Sequence, residues 1–429
     1  MTDTEDLRRE VTDFCERQHR AQVSLLGELV KVPSDNPPGD CAPHAERAAA
    51  LFEQLRLTVE RHPVPDELVR ANGMVSATNL IVRKHFGAGP TIALNAHGDV
   101  VPPGEGWTAD PYGAEIRDGW MYGRGVAVSK SDFATYGYAL LALKSLGRPL
   151  AGTVELHLTY DEEAGGAIGP KWLLDQGLSR PDFALSAGFS YGIVTAHNGC
   201  LHLEVLINGK SAHAARPETG HDALEAATQV LSALYEHRKG LAEIHSAVEG
   251  IGSPTLVVGL IKGGINTNVV PDAVMLRLDR RMIPEEDGAL VERGLCELIR
   301  NSVADAPGIR CGMRRIMLAE PLKPVAGLER LIEPLQRNAE GIFGEPIPTY
   351  GVPLYTDARH YAAAGVPTVL YGAGPRTLTE ANAHAADERL PLADLRRATE
   401  AVALTLLDLL GGGARSVGRR AMITPLLQA

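Results

Sequence analysis

The chain has few cysteines, no excess of positive charge and no long apolar run, and each shortage excludes a class of protein. Cys15, Cys41, Cys200, Cys296 and Cys311 are odd in number and lack CxxC spacing. They read as reduced, mostly structural thiols, which argues against a disulfide framework or a cysteine zinc site. Acidic residues outnumber basic ones, 53 to 42, so the net charge is −11. That balance argues against a nucleic-acid or anionic-membrane partner. No stretch approaches the roughly 20 uninterrupted apolar residues of a membrane span. The start, Met1-Thr-Asp-Thr-Glu-Asp-Leu-Arg-Arg-Glu10, is charged and has no apolar signal core. A cytoplasmic enzyme is the expectation.

What is present is an ordinary globular composition over 429 residues, enough chain for two domains. Residues 5–31 predict a surface helix, ended by the proline-rich Pro33–Asp40, and a second helix covers Ala42–Leu57. Apolar runs at Asn79–Val82, Thr91–Asn95, Thr153–Thr159 and Phe183–Ser186 alternate with helical segments at Asp132–Leu146 and Gly169–Gln176. Such alternation predicts βαβ units and a mainly parallel sheet. After about Asn198 the texture changes. Strands at Cys200–Asn208, Thr255–Ile261, Val274–Arg280 and Ile309–Met317, with helices at Asp222–Arg238 and Glu285–Ser302, spell β-α-β-β-α-β, the order of a ferredoxin-like unit. The parallel pattern then resumes with Pro367–Tyr371 and a closing helix Leu392–Leu410. The expected class is α/β, with a catalytic domain over 1–198 and 319–429 and an inserted α+β lid over 199–318. The glycine- and arginine-rich tail after Gly411 is expected to be poorly ordered.

Three segments carry chemistry. The run Thr91-Ile-Ala-Leu-Asn-Ala-His97-Gly-Asp99 brings a histidine and an aspartate to one strand end. Residues i and i+2 share a side of a strand, so Asp99 can orient the His97 imidazole. Asp161-Glu162-Glu163 leaves another strand, and three successive carboxylates repel one another unless a cation sits among them. Alone, this tripeptide reads better as a solvated acidic turn. His384, late in the chain, completes a set of two histidines and one carboxylate that suits a catalytic zinc with an open position.

The ordered segments ALNAHGDVVP, GWMYGRG, LTYDEEAGG, GKSAHAARPETG, INTNVVPD, TDARHYAAAGVPTVLYGAGP and AHAADERL resemble the metallopeptidase family of glutamate carboxypeptidase, aminoacylase, acetylornithine deacetylase and succinyl-diaminopimelate desuccinylase. The resemblance runs from about Leu29 to Leu410. It implies a zinc-binding α/β domain with a ferredoxin-like lid that often forms a homodimer. By this resemblance His97, Glu163 and His384 would be metal ligands, Asp99 the partner of His97, and Glu162 the general base. His213 would polarise the scissile carbonyl, often across the dimer interface, and Asn268 and Arg281 would hold a substrate carboxylate. The implied substrate is a small carboxylated amide.

The sequence also departs from the family. After Gly123-Arg-Gly125, Lys130 holds the register and Val128 stands where the family has an aspartate that bridges two metals. Gly188 stands about where a further acidic ligand belongs. Two dications a few Å apart need bridging anions, so the expectation is one divalent cation rather than two. Asp132, Asp161 or His197 could supplement it, although helix capping is the first expectation for Asp132. The leading reading is a mononuclear hydrolase of N-acyl amino acids or small peptides. A metal-independent lyase or isomerase, and a non-catalytic binder of carboxylated ligands, remain open.

Overall fold

A computed structural model of the chain describes residues 3–411; the tail after Gly411 lies outside the described residues. Eight strands form the central sheet, in the order Val59–Pro63, Thr78–Gly87, Gly152–Thr159, Thr91–His97, Phe183–Ser186, Thr368–Leu370, Ile193–His197, Thr349–Val352. The middle strands pair in parallel, and the antiparallel pairs lie mainly at the Val59–Pro63 edge. Parallel strands covered on both faces read as continuous apolar runs, since no face is left for water. Thr91–His97 is such a strand, buried from Ile92 to His97.

One face of the sheet carries three mutually packed helices, Asp3–Val30, Lys130–Ser145 and Leu392–Gly411. The first of these is more than a surface element: it buries Val11, Cys15, Leu25, Leu26 and Leu29 in the main core. Register then positions the chemistry. His97 pairs with Thr159 in the parallel ladder, so both strands stop at one edge and the following turns lie side by side. Ligands of parallel sheets bind beyond such carboxyl ends.

The second sheet is antiparallel, in the order Thr255–Gly263, Ala273–Met282, Gly199–Asn208, Arg310–Ala319. Its alternating residues Leu201, Leu203, Val205, Leu276 and Leu278 bury a separate core against the helices Ala223–Leu241 and Gly288–Ser302. Both helices begin one residue after an aspartate cap. Asp222 accepts from the amides of Leu224 and Glu225, and Asp287 from that of Leu290. The order β-α-β-β-α-β is as the spacing predicts. A small third sheet, Arg389–Pro391 with Trp120–Tyr122 and Glu115–Arg117, ties the late segment to the Gly123–Gly125 turn.

Candidate active site

The strand-end turns meet in a cleft of about 540 Å³. His97, Glu162, Glu163 and His384 line it from the main domain and Arg281 from the lid sheet. His97 is buried, and its Nδ1 lies 3.0 Å from the main-chain oxygen of Asp99. A carbonyl only accepts, so Nδ1 carries a proton there and Nε2 is the atom turned toward Glu162. The Asp99 carboxylate is farther, 3.5 Å from Nδ1. Its main work lies elsewhere: it accepts from the amides of Glu162 at 3.3 Å and Glu163 at 3.1 Å and from Asn36 Nδ2 at 3.0 Å. Asp99 thus fixes the carboxylate turn as well as backing the histidine.

That turn is a short 3-10 helix, Glu162–Ala164, closed by Gly165 and Gly166 in the left-handed region. Gly166 is required there for space as well as for its φ. A Cβ on it would come within 2.2 Å of an Asp357 oxygen. Nε2 of His97 stands 4.0 Å from Oε2 of Glu162. Donor atoms of His97, Glu162 and Glu163 all fall within 4.8 Å of one another. His384 approaches from the opposite wall, with Nε2 3.2 Å from Oε1 of Glu163. His384 is thus the close polar neighbour of this buried oxygen.

Of the sequence-predicted metal ligands, His97 and Glu163 therefore lie in one cluster, and His384 abuts it through Glu163 alone. Glu162, expected as the base, is itself a member of the cluster. His384 is presented from a strained turn, in which Asn382, His384 and Asp387 all have positive φ.

Electrostatics match the crowding. Burial, then the carboxylates of Glu163 and Asp99, push Glu162 up to about 8 against the opposing pull of His97. Burial would lower His97, yet Asp99, Glu162 and Glu163 carry it well above its ordinary value. Contact with the Glu163 carboxylate likewise raises His384.

One wall of the cleft is apolar, with Val128, Phe189, Val194, Val352, Leu354 and Leu370, while Ser186, Thr356, Asp357 and Arg376 line it elsewhere. Gly188 is more than a deletion: a Cβ there would meet the Tyr371 amide nitrogen at 2.8 Å and the Leu370 carbonyl carbon at 2.9 Å. No side chain fits unless the backbone moves. The candidate substitute ligands are engaged otherwise. Asp132, expected to cap its helix, instead reaches across to the amides of Ala373 at 2.9 Å and Gly188 at 3.1 Å. It sits inside the first turn of the helix, so its carboxylate faces the ends of neighbouring strands, and burial pushes it up to about 7. His197 uses Nε2 on the Thr356 amide, and Asp161 accepts from the Ile168 amide. A donor set of imidazole and carboxylates fits a divalent cation. Val128 and Gly188 add no anion to that set.

His213 and Asn268 lie on the exposed lid surface, and neither lines the cleft within one chain. His213 Nδ1 accepts from the Ala215 amide. Arg281 reaches the cleft while paired with Asp279 at 2.9 Å. Sequence reasoning missed Glu388, Tyr355 and Asp357. Glu388 is fully buried, bonds Arg124 at 2.6 Å and accepts from the amides of Ala127 and Val128. The available signal was an arginine in the Gly123–Gly125 turn and an acid four residues after His384, each without another evident role.

Comparison with known proteins agrees with this geometry. The model of peptidase family M20/M25/M40 matches residues 93–408. A succinyl-diaminopimelate desuccinylase of Wolinella succinogenes is 27% identical over 402 residues, covering 91% of this chain and 99% of that protein. An acetylornithine deacetylase of Myxococcus xanthus is 29% identical over 374 residues, covering 86% of this chain and 93% of that protein. Among solved structures, the aminopeptidase PepT of Bacillus cereus superposes with a TM-score of 0.72 at 24% identity, covering 91% and 98% of the two chains. With its cleft, its strand-end histidine and its carboxylate turn inside the matched span, the chain belongs to peptidase family M20/M25/M40.

Proposed function

We propose that the protein is a metal-dependent hydrolase of amide bonds in N-acyl amino acids or small peptides, working with one divalent cation, zinc by the nature of the donors. The observation that carries this reading is the cluster of His97, Glu162 and Glu163 donor atoms within 4.8 Å, with His384 Nε2 against the buried Glu163 Oε1. His97, Glu163 and His384 would hold the cation, which when bound supplies a Lewis acid next to the scissile carbonyl. Glu162, beside those donors on the cleft wall, takes the proton of the attacking water. It returns that proton to the leaving amine as the carbon–nitrogen bond breaks. Arg281 offers a planar fork to the substrate carboxylate, and the wall of Phe189, Val194, Val352 and Leu370 suits an apolar acyl group.

Two further parts of the reading concern assembly and place. His213 and Asn268 would reach a cleft only if a second copy supplied them, so a homodimer through the lid is part of the proposal. Its edge strand Thr255–Gly263, with exposed Val257, Leu260 and Ile261, supports that assembly. Five free cysteines support a reducing, cytoplasmic setting, and no described helix is long and apolar enough to cross a membrane.

The test is turnover of an N-acyl amino acid panel by metal-replete protein, by chelated protein and by Glu162→Gln, with elemental analysis alongside. Activity lost on chelation, restored by zinc and absent in Glu162→Gln is the expected result. Turnover indifferent to both changes sinks the mechanism. The missing carboxylates at Val128 and Gly188 favour, as second reading, a metal-free lyase or isomerase using Glu162 and a histidine; active protein containing almost no metal would point there. Ligand-dependent thermal stabilisation without turnover on any amide would instead mark a binding protein.

A further inference from the structure

We propose that Cys200, His202 and Asp279 form a second cation site, in the lid, for zinc or a similar borderline-soft divalent ion. The strands Gly199–Asn208 and Ala273–Met282 pair antiparallel, with Cys200 opposite Arg281 and His202 opposite Asp279. Cys200 and His202, two residues apart, share one face of their strand, and Asp279 meets them from the neighbouring strand. Sγ of Cys200 lies 3.8 Å from Oδ2 of Asp279, and Nε2 of His202 lies 2.9 Å from the same oxygen. The three donor atoms fall within 4.8 Å of one another. Tetrahedral zinc, with bonds of about 2.0–2.3 Å, spaces its ligands about 3.3–3.7 Å apart. The two contacts to Oδ2 lie within a few tenths of an ångström of that spacing.

The donor types narrow the choice of ion. A thiolate and an imidazole discriminate against magnesium and calcium, which take oxygen ligands. Three protein donors leave a fourth position to solvent.

Two cationic groups bear on the site. Arg281 bonds Asp279 through Nε to Oδ1 at 2.9 Å and through Nη2 to Oδ2 at 3.2 Å, and Arg359 also acts electrostatically on Cys200. An ion on Oδ2 would displace the Nη2 contact and leave Arg281 on Oδ1, in the outer position from which hydrogen bonds orient ligands. Because Arg281 lines the cleft, occupancy in the lid bears on how that guanidinium is aimed. Ligation replaces the thiol proton by the ion and releases the proton to solvent. Burial pushes the Cys200 thiol up to about 12, so the uptake strengthens as pH rises.

The chain's other cysteines belong to no group of three donors among the described residues. Cys200→Ser is therefore what assigns a thiolate signature to this site. The experiment is cobalt(II) titration of the metal-stripped full-length chain, read by its near-ultraviolet thiolate-to-cobalt charge-transfer band. The expected result is a saturable band that survives His384→Ala, vanishes in Cys200→Ser and needs at least tenfold more cobalt in His202→Ala. Cobalt uptake without the band overturns the proposal, as does a band unchanged in Cys200→Ser. Should Cys200→Ser fail to fold, the half-exposed His202 provides the second arm: zinc affinity by chelator competition, where equal values for His202→Ala and wild type overturn the site.

Discussion

Two corners of one cleft have gone different ways. At the His97–Glu163 corner the turn keeps its donors, and Asp99 hydrogen-bonds the backbone that presents them. At the Val128–Gly188 corner the backbone is held just as firmly, by Glu388 on Val128 and by Asp132 on Gly188, yet no ligand is presented. Holding a turn in place and presenting a polar side chain on it are therefore separable. Buried hydrogen bonds keep a turn in place whether or not the side chain at its tip can bind a cation.

The sharpest way to break that comparison is to remove the brace under the apolar corner. Glu388→Gln leaves the buried Arg124 guanidinium without its anion, at a cost of about 3–5 kcal/mol. A large fall in thermal midpoint is expected, with activity falling only as far as the fold is lost. A variant as stable as wild type would show that the turn does not depend on this pair. Next comes Glu162→Gln, where kcat should drop about 10³-fold, within the range of general acid–base catalysis, while circular dichroism is unchanged and the thermal midpoint does not fall. The donor corner would then be chemical and the brace structural.

Asp132 links the two corners and gives a pH test. Its folded pKa, about 7, lies above the ordinary carboxylate value of 3.8. The folded state therefore binds more protons than the unfolded chain between about pH 4 and 7. Stability from this group is greatest at acid pH and falls as pH rises through that window, by at most about 4 kcal/mol for three units. In Asp132→Asn that fall should vanish, so the variant gains on wild type from pH 4 to 7. Parallel denaturant midpoints at both pH values would refute the assignment.

Legibility followed the same division. The parallel strands and the lid order could be read because their apolar periods are local signals. The edge strand Val59–Pro63 and the helix Glu329–Phe343 could not: the first carries Glu60, Arg61 and His62, and the second contains Pro334. The segments that hold His97, Glu163 and His384 were evident from strand-end position and resemblance. Their packing was not. Asp132 looked like a cap because it sits beside a helix start, and only tertiary contacts turn its carboxylate toward Gly188 and Ala373. Glu388 acts across 264 residues on Arg124, a distance no local pattern spans.

The smallest expected effect bears most directly on the contrast between the corners. Val128→Asp returns a carboxylate to the apolar corner, where the backbone amide is already fixed by Glu388. A single new anion cannot restore a second ion, because Gly188 has no room for a side chain against Leu370 and Tyr371. It can only join the donors already present. The expected outcome is tighter binding of one cation, about tenfold or ~1.4 kcal/mol, measured by chelator competition, with stoichiometry at the cleft unchanged. A rise by one whole ion per chain would mean that the apolar corner retains latent donors, and that the two corners differ by one side chain rather than by backbone.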